Sequence, residues 1–219
     1  PDSLVESSYV ATALLCNVQE AGALREQWLP RVADGTAHIS LEHPANPCVA
    51  DAHLADLILA FRAGKDDALE LHAVPGTGLQ RSTQVSIDAS RRLAILPQKL
   101  AASTRLLTGA GVQAIAEATL DRAALAVAGQ LVGLAQRMLD VSVDYVAQRK
   151  QFGKPIGSFQ GVKHHLADVV TKIEFARPVL YRAALALQRG DRHRAVLISH
   201  AKLAAADAAV RIAQAELDK

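Results

Sequence analysis

The strongest constraint on the fold lies in the second half of the chain, where apolar side chains recur in alternating steps of four and three, the spacing that lines one face of an α-helix. Leu120, Ala124, Val127, Leu131, Leu134, Met138, Val141 and Tyr145 form a first stripe. Val162, Leu166, Val169, Ile173, Ala176, Leu180, Ala183 and Leu187 form a second, and Val196, Leu203, Ala206, Val210, Ala213 and Leu217 a third. The spacing predicts three long helices with these residues as their core. Three such helices do not close a four-helix bundle. One apolar face is left over, to be covered by a further stretch of polypeptide or by a partner.

Upstream the period changes. Leu57, Leu59 and Phe61 alternate with Ile58 and Ala60, and after Arg62-Ala63-Gly64-Lys65-Asp66-Asp67 the residues Leu69, Leu71 and Ala73 alternate with Glu70 and His72. Period two on both sides of a Gly- and Asp-bearing segment predicts a β-hairpin with Gly64 and the two aspartates in its turn. Further strands are expected near residues 38–41, 84–87 and 93–96. Ahead of them, residues 3–17 and 20–28 are helical in character. Pro30 can start a new turn, because its missing N–H falls among the unpaired donors of a helix start, and Gly35 closes the region. The predicted architecture is mainly α: a partial N-terminal helical region over 1–35, a small antiparallel β-domain over 36–111, and a C-terminal helical bundle of the four-helix type over 112–219.

Composition removes several function classes. Half of the 219 residues are hydrophobic, enough for a sizeable core. Formal net charge is +2 with acids and bases interspersed, so nothing points to nucleic acid or to a membrane surface. Cys16 and Cys48 have no metal-ligand spacing and accompany no signal peptide or membrane-length apolar run, which predicts free thiols in a reducing cytoplasm. His164 and His165 would point about 100° apart on a helix and share an ion poorly, so no metal site is expected. No Gly-rich phosphate loop and no Ser-His-Asp arrangement stands out.

The segment joining the first two helices, Arg149-Lys150-Gln151-Phe152-Gly153-Lys154-Pro155-Ile156-Gly157-Ser158-Phe159-Gln160, is rich for a connection. It can be a bundle turn whose Phe caps the core and whose Arg is solvated. It can also serve a phosphate-bearing aromatic ligand, with guanidinium on phosphate, amide on a base or ribose edge, and ring on a flat heterocycle.

Tyr145-Val146-Ala147-Gln148-Arg149-Lys150-Gln151-Phe152-Gly153-Lys154-Pro155-Ile156, followed by Phe159-Gln160 and Leu166-Ala167-Asp168, resembles the C-terminal signature of the acyl-CoA dehydrogenases. Trp28-Leu29-Pro30-Arg31-Val32-Ala33-Asp34-Gly35 resembles the end of that family's N-terminal helical domain, and residues 52–61 one of its later strands. The resemblance implies an acyl-CoA dehydrogenase-like fold and FAD as cofactor. It further implies that Arg149, Gln151 and Phe152 bind the FAD of a neighbouring subunit, Arg149 on the pyrophosphate.

Family chemistry removes an α-proton and a β-hydride from a thioester, and requires a carboxylate base, a flavin facing Cβ and an oxyanion-stabilising pair of donors. In most relatives the base lies beyond the point where this sequence stops. Aligning Val132-Gly133-Leu134-Ala135-Gln136-Arg137 with the family puts Ala123 at the alternative base position and Ala124 at the Arg that follows it. Asp121 matches a substrate-contacting Asp of some relatives but would have to reach a turn further. No catalytic residue is therefore expected here. Residues 39–47 stand where the family's T-E-P element belongs, and its G-S-D and W-I-T elements are missing. These departures imply the non-catalytic subunit of a hetero-oligomeric dehydrogenase, paired with a homologous catalytic subunit and resembling actinobacterial enzymes that shorten steroid side chains on CoA. Two alternatives stay open: a self-sufficient homo-oligomeric dehydrogenase seen incompletely, and a flavin-free scaffold subunit.

Overall fold

The computed structural model describes residues 5–64, 68–100 and 102–217, and the chain forms two compact units, 1–123 and 124–219. The first unit opens with a π-helical turn, Val5–Ala11, which runs into α1 (Thr12–Asn17); a 3₁₀ turn, Gln19–Ala21, then leads to α2 (Gly22–Ala33). Val10, Leu14, Leu15, Val18 and Ala21 are buried along this path, consistent with an amphipathic helical entry.

Pro30 does not start a new turn. It sits inside α2, on the solvent side, where the carbonyl of Glu26 that its missing N–H leaves unpaired belongs to an exposed residue and can be hydrated. The helix ends as the sequence predicts. Gly35 takes φ 70°, and its N–H donates to Val32 O while Thr36 N–H donates to Arg31 O, a Schellman closure.

A four-stranded sheet follows, of order β1 (Ile39–Glu42), β3 (Leu57–Ala63), β4 (Leu69–Pro75) and β7 (Thr104–Thr108). β1 (Ile39–Glu42) runs parallel to β3 (Leu57–Ala63), which pairs antiparallel with β4 (Leu69–Pro75) from Leu57↔Pro75 to Ala63↔Leu69. The expected hairpin is therefore present; its turn residues 65–67 lie outside the described residues. β7 (Thr104–Thr108) adds antiparallel to β4. One face, with Ile39, Leu57, Leu59, Phe61 and Leu71, packs on the N-terminal helices and on Val112 and Ala116. The other, with Ile58, Ala60 and Val74, packs on Val49 and Ala94 of a three-stranded sheet, β2 (Cys48–Ala50), β6 (Leu93–Ile95) and β5 (Ser82–Gln84), and on Leu96 just beyond it.

The strand expected over 84–87 is displaced. β5 ends at Gln84, which pairs with Leu93 at the near end of a three-residue partner strand, and an Asp88 turn accepting from Ser90 N–H and Oγ–H reverses the chain. Val85 and Ile87 are left fully exposed.

The bundle is built from α3 (Ala110–Gln148), α4 (Gln160–Gln188) and α5 (Arg194–Leu217), the first turns of α3 belonging to the first unit. α4 buries Val169, Ile173, Ala176 and Ala183, the predicted stripe. α3 does not. Its buried line is Leu125, Ala128, Val132, Ala135, Leu139 and Val146, one position on from the predicted one and so turned by about 100°. Leu120, Val127, Leu134, Val141 and Tyr145 face outward.

α5 departs in the same way, burying Ile198, Ala201, Ala205, Ala208 and Ile212 and exposing Val196, Leu203 and Val210. Helices approach as closely as the side chains between them allow. Alanines at the contact bring α5 close to α4 and α3, and the larger residues are left on the outside.

Candidate functional site

α3 does not simply stop at its last residue. Arg149 N–H still donates to Tyr145 O at 2.9 Å, so the helical turn carries one residue further. The chain then folds into a two-stranded ribbon, β8 (Lys150–Gln151) and β9 (Lys154–Pro155), with Lys150 opposite Pro155 and Gln151 opposite Lys154. Phe152 and Gly153 alone make the connection, with φ of 51° and 77°. Positive φ at both positions is the type I′ arrangement, which follows the natural twist of a ribbon and is ordinarily filled by Asn-Gly or Gly-Gly.

A bulky aromatic residue at positive φ is strained, by an amount of order 1–3 kcal/mol, and such strain concentrates where a site needs it. Phe152 is 91% exposed, so no burial of its ring compensates.

The base of the ribbon is held firmly. Ile156 N–H donates to Arg149 O, and Ser158 Oγ–H donates to Pro155 O at 2.7 Å. Gly157 lies so close to α3 that a Cβ there would come within 3.1 Å of Val146 Cγ2 and Val146 O. Phe159, half-buried, leads directly into α4, whose Lys163 N–H donates back to Phe159 O. The Phe152 and Phe159 rings stand edge-to-face, 6.2 Å apart and inclined at 89°, and Lys154 Nζ sits 4.4 Å from the Phe159 centroid.

Arg149, Gln151 and Phe152, the three residues expected at a cofactor, are thus all exposed on one short ribbon. Among the described residues no carboxylate pairs with the Arg149 guanidinium. Arg149, Lys150, Lys154 and Lys163 fall in a stretch, 145–167, that holds no Asp or Glu. The site offers uncompensated cations, an amide and a free aromatic face, a donor set that suits a dinucleotide diphosphate. Sequence reasoning missed the strained turn and the Phe159–Lys154 contact. The sequence carried no signal of the turn type, because Phe-Gly does not ordinarily take positive φ at both positions.

A catalytic base is a different matter. A cavity of about 260 Å³ lies between the N-terminal helices and α3, lined by Val10, Leu14, Ala114, Ile115, Ala118 and Arg122 among others. Arg122, whose guanidinium stands 5.1 Å from the Tyr9 ring centroid, is the one ionisable residue on its wall among the described residues. Asp121 is half-buried and is not part of that wall.

The carboxylates with raised pKa lie elsewhere. Burial pushes Glu42 up against the opposing pull of Arg62, whose Nε is 2.6 Å from Oε2, close enough for an ion pair but not aligned as a hydrogen bond. Burial also raises Glu6, against the pull of Arg91. Neither lines the cavity. Cys16 and Cys48 are unbridged, no group of three metal-ligating side chains occurs among the described residues, and none of the described helices is long and apolar enough to cross a membrane.

Comparison with known proteins gives this geometry a context. Residues 109–218, half of the chain, match the family pattern "Acyl-CoA dehydrogenase, C-terminal domain". The probable acyl-CoA dehydrogenase FadE25 of Mycobacterium tuberculosis is 39% identical over 95 residues, which is 43% of this chain and 24% of that protein. A variant of the Tcur3481–Tcur3483 steroid ACAD superposes with a TM-score of 0.76 at 24% identity, over 94% of this chain and 63% of that one. A glutaryl-CoA dehydrogenase from Mycobacterium smegmatis in complex with FADH2 superposes with a TM-score of 0.75 at 18% identity, over 94% of this chain and 61% of that one. The chain thus spans about a quarter of the length of the curated relative and less than two thirds of these solved chains. The match over half its length, on a fold shared with these enzymes, means that the chain belongs to the acyl-CoA dehydrogenase family, whose cofactor is FAD.

Proposed function

We propose that this chain is the non-catalytic subunit of a hetero-oligomeric, cytoplasmic acyl-CoA dehydrogenase, and that its ribbon completes the FAD site of a homologous catalytic subunit. The observation that carries the proposal is the Phe152-Gly153 turn: a strained, exposed aromatic beside an arginine that no described carboxylate neutralises. Arg149 would fork onto the diphosphate, Gln151 would hydrogen-bond a ribose or base edge, and Phe152 would pack on the flat heterocycle. FAD, when bound, supplies the acceptor for the hydride leaving the acyl β-carbon.

Two further features support a supporting rather than a catalytic role. Ala123 and Ala124 stand where one branch of the family carries its Glu-Arg pair, and among the described residues the wall of the cavity beside α3 carries no carboxylate. The outward Leu120, Val127, Leu134 and Val141 recur every seven residues, as a face does when another helix is to lie along it. The substrate we assign is a bulky acyl-CoA such as a steroid side-chain thioester, undergoing α,β-dehydrogenation, and the chain is divided as 1–35, 36–111 and 112–219.

The test is the visible spectrum of the chain alone and of the assembly captured through a tag on it. A colourless chain and a yellow assembly are expected. Arg149→Ala removes charge-assisted bonds worth about 1.5–3 kcal/mol and should weaken FAD roughly ten- to hundredfold. Full flavin retention in that variant would count against the site. A yellow chain on its own would mean a complete site within it, and a colourless assembly a scaffold.

A further inference from the structure

The ribbon contains more than the three residues assigned to the cofactor. A phenylalanine that is almost wholly exposed on a two-residue turn has nothing in its own strand to fix its χ angles, and would sample several ring orientations. A contact surface for a flat heterocycle needs one orientation in advance, because immobilising a side chain on binding weakens affinity. The ring that can impose it is Phe159. It is half-buried, anchored by its own backbone between Ile156 O and Lys163 N–H, and it meets Phe152 edge-to-face at 6.2 Å. Lys154, on the return strand of the same ribbon, lies 4.4 Å from the Phe159 centroid and so fixes the plane of that ring in turn.

We infer that Phe159, held by Lys154, is a positioning residue that presets the Phe152 ring for the cofactor's heterocycle; this rests on the ribbon being the FAD contact proposed above. The geometry also divides the local cations by task. Arg149 meets no ring or carboxylate among the described residues, whereas the Lys154 ammonium is engaged with an aromatic face. Arg149 acts on phosphate charge and Lys154 acts on ring order, so the two should differ in salt dependence.

The experiment has a structural and a functional arm. The chain holds four phenylalanines, so selective ¹³C labelling of their rings gives few enough signals to assign. Cross-peaks between the Phe152 and Phe159 rings are expected, together with an upfield shift of the Lys154 ε-methylene protons that Phe159→Leu abolishes. In the assembly captured through a tag on this chain, stripped and re-titrated with FAD, Phe159→Leu should weaken FAD about two- to tenfold, the range of an edge-to-face pair. Phe159→Tyr should restore affinity and the melting temperature should hold. Lys154→Met should weaken FAD in the same direction and lessen its salt dependence less than Arg149→Ala does. Absent ring cross-peaks, or unchanged affinity in Phe159→Leu beside weakened affinity in Phe152→Ala, would overturn the positioning role and leave the FAD site standing. Unchanged affinity in Phe152→Ala would overturn both.

Discussion

α4 and α5 carry apolar residues at the same alternating steps, yet they use them in opposite ways. α4 turns its large aliphatics, Val169 and Ile173, onto its neighbours. α5 turns Val196, Leu203 and Val210 outward, at 70%, 68% and 56% exposure, and meets its neighbours with Ala201, Ala205, Ala208 and two isoleucines. The alanine line in α5 is itself spaced by fours and threes. A helix with two apolar stripes does not reveal by hydrophobicity which one its own core takes. Size decides, because the smaller stripe permits the closer approach.

The sharpest way to break this comparison is to truncate on each side of α5. Ile212→Ala and its α4 counterpart Ile173→Ala, both essentially buried, should each cost about 2–5 kcal/mol in urea unfolding of the isolated chain. Leu203→Ala should stay within about 0.5 kcal/mol in the same measurement. Equal losses would show that the outward face has been assigned wrongly. A charged substitution on the same outward side, Leu203→Asp, should likewise leave the stability of the free chain within about 0.5 kcal/mol.

Overfilling is the next test. Ala205→Leu inserts volume where the helices meet and should cost about 1–3 kcal/mol, while a leucine at the exposed Ala213 should do almost nothing.

The two units should also part company with pH. Among the described residues the two carboxylates held above the usual range, Glu6 and Glu42, belong to the first unit. A carboxylate whose folded pKa lies above its unfolded value of 4.5 stabilises the fold while protonated. That contribution is complete below the unfolded pKa and is lost as pH rises through the folded one. Glu70, lowered by His72 and Arg105, acts in the other direction and in a lower window, losing its contribution as pH falls below the ordinary carboxylate range. Trp28, the one tryptophan, reports the first unit. Its unfolding midpoint should fall as pH rises above about 4.5, and Glu42→Gln should flatten that fall.

The smallest effect is expected at the α4–α5 surface. Lys172 Nζ and Asp207 Oδ2 are 2.7 Å apart, but both side chains are more than half exposed, so Lys172→Ala should cost less than about 1 kcal/mol.

Much of this molecule was legible in its residues, and the exceptions have physical causes. Leu57–Ala63 and Leu69–Pro75 announced themselves because alternation and a Gly-Asp segment agree. β2, at Cys48–Ala50, did not, because three residues among prolines carry no period. Pro30 misled because a proline inside a helix is tolerated when the carbonyl it orphans faces water. The ribbon's contents were evident from the family signature, but its turn type was not. Phe-Gly is not a sequence that signals positive φ twice, and only the backbone shows that the phenylalanine accepts it.

That turn has a consequence for anyone improving the protein. Phe152→Asn would suit φ 51° better and should raise the melting temperature of the free chain. Selection for heat tolerance or expression alone would therefore favour that substitution and discard the aromatic ring without any loss that such a screen registers. Libraries built on this chain should be scored, from the first round, for flavin held in the proposed assembly rather than by the chain alone.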